Sequence, residues 1–407
     1  MTADKGGLSL RQQSRIPELD GLRAWMIFVI SWYHIWQQSW LTPRIGSVSL
    51  DFLVRSGYVW VDGMILLSAF LLFLPWARHA AGEGPMPDTR QFYLRRVQRI
   101  LPSYWFILLL TLFAVALPWG LYASPNYMVK DLATHFTFTF PFFYDTYIAT
   151  PLGAASWTLA VEVQAYLLFP LIARSVLRRP ALTLGTITLV SFCFRAWCLW
   201  SLQDYTMVVN QLINFGDVYA LGILSASVYV RLRRIYAGLQ GMKKRRLLWE
   251  SAATVLFILL IIGLIRLLSI QAYAGGYPQL QARQMTLRPV FALAFAGLTV
   301  CCSFCVLPLR KLLGNRITHF LAGLSMNYYL THQTIVVHLK RIGFPPSADE
   351  SPNMAGEQPW QNQYTALAFG LSLLAALLIT YLVEKPAGKW LERRFSPPSG
   401  GGASSSR

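Results

Sequence analysis

The chain is 407 residues long, 55% hydrophobic and only 13% charged, against the roughly 25% charge of soluble domains. Apolar runs near 20 residues recur along it, each long enough to cross a ~30 Å hydrocarbon core as a helix. Together these exclude a soluble enzyme, a disordered chain and a disulfide scaffold. The formal charge is +18, from 36 Lys and Arg against 18 Asp and Glu, and its distribution decides what it means.

Ten spans are predicted, over about 22–42, 57–76, 98–122, 155–177, 181–201, 210–230, 249–269, 288–309, 318–339 and 364–383. With the N-terminus placed in the cytoplasm and the spans alternating, 27 basic residues fall in inner segments and seven, Arg288 among them, in outer ones. That bias puts both termini in the cytoplasm and makes the basic charge topological, so nucleic acid is dropped as a partner. The expected architecture is an all-α polytopic membrane protein: a cytoplasmic segment over 1–21, a ten-helix domain over 22–394, and a low-complexity, disordered tail over 395–407. No short apolar core with a small-residue cleavage site opens the chain, so no removable leader is expected. The five cysteines (Cys193, Cys198, Cys301, Cys302, Cys305) lie in apolar runs without metal-ligand spacing. They read as packing residues, and no metal site is expected.

The first span, LDGLRAWMIFVISWYHIW, carries Arg23 and His34 on one stripe, about 16 Å apart in helix rise. A histidine at that depth is a candidate general base. Asp62 opens the second span at a depth comparable with His34, where a carboxylate is costly unless paired. It reads either as the group that orients the imidazole or as a cap on the span. Arg95, Arg96 and Arg99 follow in FYLRRVQRILPSYW, a guanidinium cluster suited to phosphate or, equally, to plain topology. In the fourth span, SWTLAVEVQAYLLFPL, Thr158, Glu162 and Tyr166 repeat at i, i+4, i+8 behind Trp157. The ninth span, LSMNYYLTHQTI, sets Ser325, Tyr328 and His332 on one face in the same way. Two long outer segments, 123–154 with its aromatics, His135 and Asp145, and 340–363, are of a length that often covers a site. A polar stripe from several spans above a basic inner mouth suits group transfer or proton-coupled transport. The absence of internal repeats weighs against the transporter.

The segment RIPELDGLRAWMIFVISWYH resembles the opening of the acyltransferase family 3 membrane proteins, with ten residues between Arg23 and His34. The resemblance continues through VDGMILLSAFLL, FYLRRVQRILPSYW and SWTLAVEVQAYLLFPL, then less closely through LSMNYYLTHQ and VEKPAGKWLERR. It implies a ten-helix O-acyltransferase of the cell (inner) membrane that moves an acyl group, often acetyl from acetyl-CoA, to a hydroxyl of a carbohydrate or natural product. Acyl-CoA is then a co-substrate, with no permanently bound cofactor. By the family pattern His34 is catalytic with Arg23 as its motif partner. Arg95, Arg96 and Arg99 belong to the donor-binding cluster, and Glu162 to the motif after the tryptophan; Asp62 and His332 match more loosely. Ala69 stands where the family has glycine and Thr158 where it has serine. No hydrolase-like domain follows the tenth span, so a second transfer step would require a separate extracytoplasmic transferase.

The leading expectation is therefore transfer from acyl-CoA to a cell-envelope or exported carbohydrate. His34, Asp62 and Glu162 would be catalytic. Arg23, Arg95, Arg96, Arg99, Trp157, Thr158, Tyr166, Tyr328 and His332 would bind substrates. The alternatives are an acyltransferase for a cytoplasmic small molecule of macrolide type, and a proton-coupled transporter.

Overall fold

The computed structural model describes residues 15–395. The expected termini beyond these limits, including the tail over 396–407, lie outside the described residues. Ten helices of more than 20 residues follow one another: α1 (Glu18–Ser39), α2 (Trp60–Ala80), α3 (Thr89–Thr111), α4 (Trp157–Arg178) and α5 (Pro180–Ser201), then α6 (Gly216–Ala237), α7 (Lys243–Ala272), α8 (Tyr277–Cys301), α9 (Arg316–Arg341) and α10 (Gln358–Ile379). Among the described residues, the only sheet is a hairpin of two-residue strands, β1 (Arg44–Ile45) and β2 (Val48–Ser49), with Arg44 opposite Ser49.

Local chemistry sets the helix ends. Asp88 caps α3 by accepting from the Gln91 amide at 2.9 Å, which starts the helix nine residues before the predicted span and draws Arg95, Arg96 and Arg99 into its body. Asn315 and Thr318 form a capping box on α9. At its far end α3 loosens into a π-helical stretch, Leu112–Ala116, and α10 does the same over Thr380–Glu384 before a last helix, Lys385–Phe395.

Eight of the segments are long and apolar enough to cross a membrane. The two that fall short are α1 and α9, because serines, tyrosines, histidines and glutamines replace aliphatic residues along them. These two pack against each other inside the bundle, while α5 and α7 form its outer wall, with only 17% of their apolar windows buried. Four of the five cysteines are buried and all are free. In α8 the prediction needs correcting. The helix begins at Tyr277 rather than near 288, so Arg288 is no outer-loop charge but a fully buried residue in mid-helix.

Close packing explains two motif positions. Gly21 of the LDGLR run lies where an added Cβ would collide with the Leu313 carbonyl, so α1 meets the Leu307–Leu313 helix at backbone distance. Ala69 of α2 packs on Gly222 of α6, where a Cβ would come within 2.5 Å of the Leu66 carbonyl and 2.7 Å of the Ala69 Cβ. The small residue needed at this crossing is supplied by α6 rather than by α2.

Candidate active site

A cavity of about 200 Å³ opens among α1, α2, α3, α4 and α9. The helical spacing of each element delivers its polar lining: Arg23 from α1, Arg96 and Arg99 from α3, and Thr158, Glu162 and Tyr166 from α4. Ser68, Ser325 and Tyr329 complete the polar wall, and the rest is aliphatic, with Ile27, Ile30, Ile65 and Leu330 among it. Tyr166 donates its hydroxyl hydrogen to Glu162 Oε2 at 2.8 Å, and the Arg96 guanidinium lies over the Tyr166 ring, 5.4 Å from its centroid. Arg99 and Glu162 are both among the charges that act on Arg23. The cavity therefore has a cationic mouth with one carboxylate in it and an apolar inner end.

His34 continues the Arg23–Ile27–Ile30 stripe one turn beyond Ile30. Its Nδ1–H donates to Gln37 Oε1 at 2.9 Å, and Gln37 Nε2 in turn donates to the Tyr33 hydroxyl at 2.9 Å. An acceptor oxygen on Nδ1 selects the tautomer that leaves Nε2 with its lone pair. Beside it stands His332 of α9, ring centroids 5.1 Å apart, with its own Nδ1–H donated to the Tyr329 carbonyl at 2.7 Å and a buried Nε2 that has no partner.

The expected carboxylate partner of His34 is not there. Asp62 instead accepts from Arg288 Nε at 3.1 Å, both side chains at most 1% exposed. A buried carboxylate is satisfied best by the nearest buried cation, and the α8 guanidinium, hidden in the sequence as a loop charge, is that cation. A second buried pair, Arg195–Asp217 at 2.7 Å, is electrostatically joined to the first, so two cations and two anions link α2, α5, α6 and α8. Glu162 is turned toward Tyr166 and the arginines, not toward the imidazole.

Other expectations divide in the same way. Arg95 points out of the cavity and bonds Gln91 at 3.1 Å, since its position on α3 is 100° from that of Arg96. Trp157 stacks on Phe215 at 5.9 Å, and Phe215 carries the Arg288 guanidinium 4.1 Å from its ring centroid, so Trp157 braces the start of α4 from behind. Tyr328 shares a hydrogen bond with Ser31 at 2.9 Å and stacks on His332, and the tyrosine that lines the cavity is the next residue, Tyr329. Gln37, Tyr329 and Arg288 were missed by the sequence reading. Gln37, one turn beyond His34, was available as a signal. A one-residue rotation on α9 and a distant pairing for Asp62 were not.

Comparison with known proteins gives the arrangement a family. A family model described as an acyltransferase domain matches residues 16–385. The O-acetyltransferase OatA of Staphylococcus aureus (strain NCTC 8325 / PS 47) is 28% identical over 190 residues, 43% of this chain and 28% of that protein. YrhL of Bacillus subtilis (strain 168), provisionally named a peptidoglycan O-acetyltransferase, is 25% identical over 190 residues, 44% of this chain and 27% of its own length. ORF330 of Acidianus two-tailed virus, provisionally named an acetyltransferase, is 25% identical over 254 residues, 61% of this chain and 65% of its own. The chain thus covers less than two thirds of each of these relatives. No solved structure is a match. The family match takes in α1 to α10 and every residue of the cavity, and the chain, with eight helices long and apolar enough to cross a membrane, belongs to the acyltransferase 3 family.

Proposed function

We propose that the protein is a membrane O-acyltransferase that moves an acyl group, acetyl in the simplest case, from acyl-CoA to a hydroxyl of a cell-envelope or exported carbohydrate. The observation that carries this is the cavity in which Arg23, Arg96 and Arg99 ring the mouth opposite an aliphatic end, with His34 one helical turn beyond the lining residue Ile30 on α1. A CoA thioester has that polarity: phosphates at one end, a small apolar acyl group at the other. The arginines would hold the phosphates by charge-assisted hydrogen bonds. The names of OatA and YrhL support O-acetylation, and peptidoglycan for the latter, as the class of acceptor chemistry. The basic mouth would face the cytoplasm, in keeping with the charge bias of the loops.

In the transfer, the acceptor hydroxyl oxygen attacks the thioester carbonyl carbon while His34 Nε2 takes its proton. The new C–O bond forms, the C–S bond breaks, and the proton passes from His34 to the departing thiolate. Protons and electrons balance with no further reactant. Glu162, hydrogen-bonded to Tyr166 and set among the arginines, shapes the charge of the mouth rather than the basicity of His34.

The test is turnover of radiolabelled acetyl-CoA by purified protein in nanodiscs with cell-envelope extract as acceptor. Wild type is expected to release CoA and label the extract, and His34→Ala to lower that rate by about 10²–10⁴-fold, the worth of a positioned base. Wild-type rates in His34→Ala would overturn the assignment. Solute flux without CoA release would move the reading to transport.

A further inference from the structure

At the other end of the bundle lies a second cavity, of about 170 Å³, that the acyl-transfer reading leaves without a role. Its wall is Gln333, Thr334, His338 and Arg341 of α9 facing Thr150 and Gly153 of the segment before α4. Those α9 positions continue, one to three turns on, the face that presents Met326, Tyr329 and Leu330 to the first cavity, so the two cavities are stacked along one side of α9. The backbone of one residue, Ala155, links their walls. Ala155 N–H donates to Gln333 Oε1 at 2.5 Å, and the Tyr329 hydroxyl donates to the Ala155 carbonyl at 2.8 Å. The chain enters this turn through Gly153 at φ +104°, where a Cβ would lie 3.2 Å from Thr334 Oγ1. Glycine alone suits both the backbone and the space.

The lining chemistry is one-sided. His338 and Arg341 are the titratable residues of this cavity, and no carboxylate lines it. His338 Nδ1 is buried without a hydrogen-bond partner. The Trp119 ring stands edge-on to His338, centroids 5.5 Å apart, and is 46% exposed. Val115, also in the wall, belongs to the π-helical stretch of α3, a local form that recurs at functional sites. The volume is the share of about six waters, in the range of one pyranose ring.

We propose that this cavity is the acceptor subsite and that it takes a sugar ring bearing a carboxylate. Arg341 offers the carboxylate its fork, and His338 adds a second donor. The hydroxyls of Thr150 and Thr334 with the Gln333 amide meet the ring hydroxyls. Its role as acceptor site rests on the acyl-transfer reading; its binding of an acidic sugar does not. An acceptor seated here meets the donor across the Ala155 backbone.

The experiment is saturation-transfer NMR on detergent-purified full-length protein with an oligosaccharide of alternating glucuronate and N-acetylglucosamine, and with its carboxyl-reduced counterpart. Wild type is expected to bind the acidic form at least tenfold more tightly than the reduced one. Thr334→Trp, which fills the cavity, should abolish binding and, with it, the acceptor-dependent release of CoA from acetyl-CoA. Arg341→Gln, at the exposed mouth, should bind both forms weakly and equally. The proposal fails if wild type does not bind the acidic form, if it binds both forms alike, or if both variants bind as wild type does. Absence of CoA release in wild type would sink the acyl-transfer reading alone, since the sugar binding is read separately.

Discussion

A neutral amide does for His34 what a carboxylate does in a charged dyad. Gln37 accepts the Nδ1 proton, and its own orientation is fixed by the bond from its nitrogen to Tyr33. In a membrane interior this avoids leaving a second charge to be matched. Gln37→Leu is expected to lower kcat by roughly 10- to 100-fold, part of the 10²–10⁴ that a positioned base supplies, with the KM for acetyl-CoA unchanged because the arginine mouth is untouched. A rise in KM with kcat intact would refute the positioning role. Asp62 behaves differently. Arg288→Met leaves its carboxylate buried and unpaired, at a cost of about 3–5 kcal/mol, and Asp62→Leu in the same chain should restore much of the loss. Thermal unfolding of the two variants in detergent measures both. His34, Arg23 and Glu162 were legible in the sequence because each breaks an apolar run where lipid makes polarity conspicuous. The partner of Asp62 was not, since a pairing across 226 residues leaves no local spacing to read.

At the level of elements, α1 and α9 sacrifice hydropathy for chemistry. Both were predicted as spans, and both fold as long helices, but their polar stripes keep them below the apolarity of a lipid-facing span. Their packing on each other and the cavity their polar faces line make that composition tolerable. At the α2–α6 crossing Ala69 replaces a glycine of the family pattern, and Gly222 receives it. Gly222→Val should push α2 from α6 and cost about 1–3 kcal/mol as overpacking, read as a lowered midpoint in a detergent melt, and the opposite swap, Ala69→Gly, should be mild. Helix starts were the least legible feature. Asp88 caps α3, and α8 starts after Gly276, both well before the apolar runs do, and hydropathy alone is blind to a polar first turn.

Across the whole molecule, two cavities lie end to end along α9, one with three arginines at its mouth and the other with Arg341. Periodicity could place each polar residue on a face of its own helix, but only the packing of ten helices decides which faces meet. The same packing has a consequence for how the protein is made. Asp62 enters the membrane on the second span, and its cation arrives on the eighth, 226 residues later. At 5–20 residues per second the carboxylate waits roughly 11–45 s before Arg288 leaves the ribosome. During that interval α2 sits beside the insertion machinery with an unmatched polar group worth about 2.5–3.5 kcal/mol against release into lipid. A chain truncated at residue 276 should therefore be held there and degraded, and Asp62→Leu in the truncated chain should lengthen its half-life in a pulse-chase. Equal half-lives would mean that another group shields Asp62 first. On this expectation the late helix acts as a checkpoint in biogenesis, the early half of the bundle becoming a finished membrane protein only when translation has reached its eighth span.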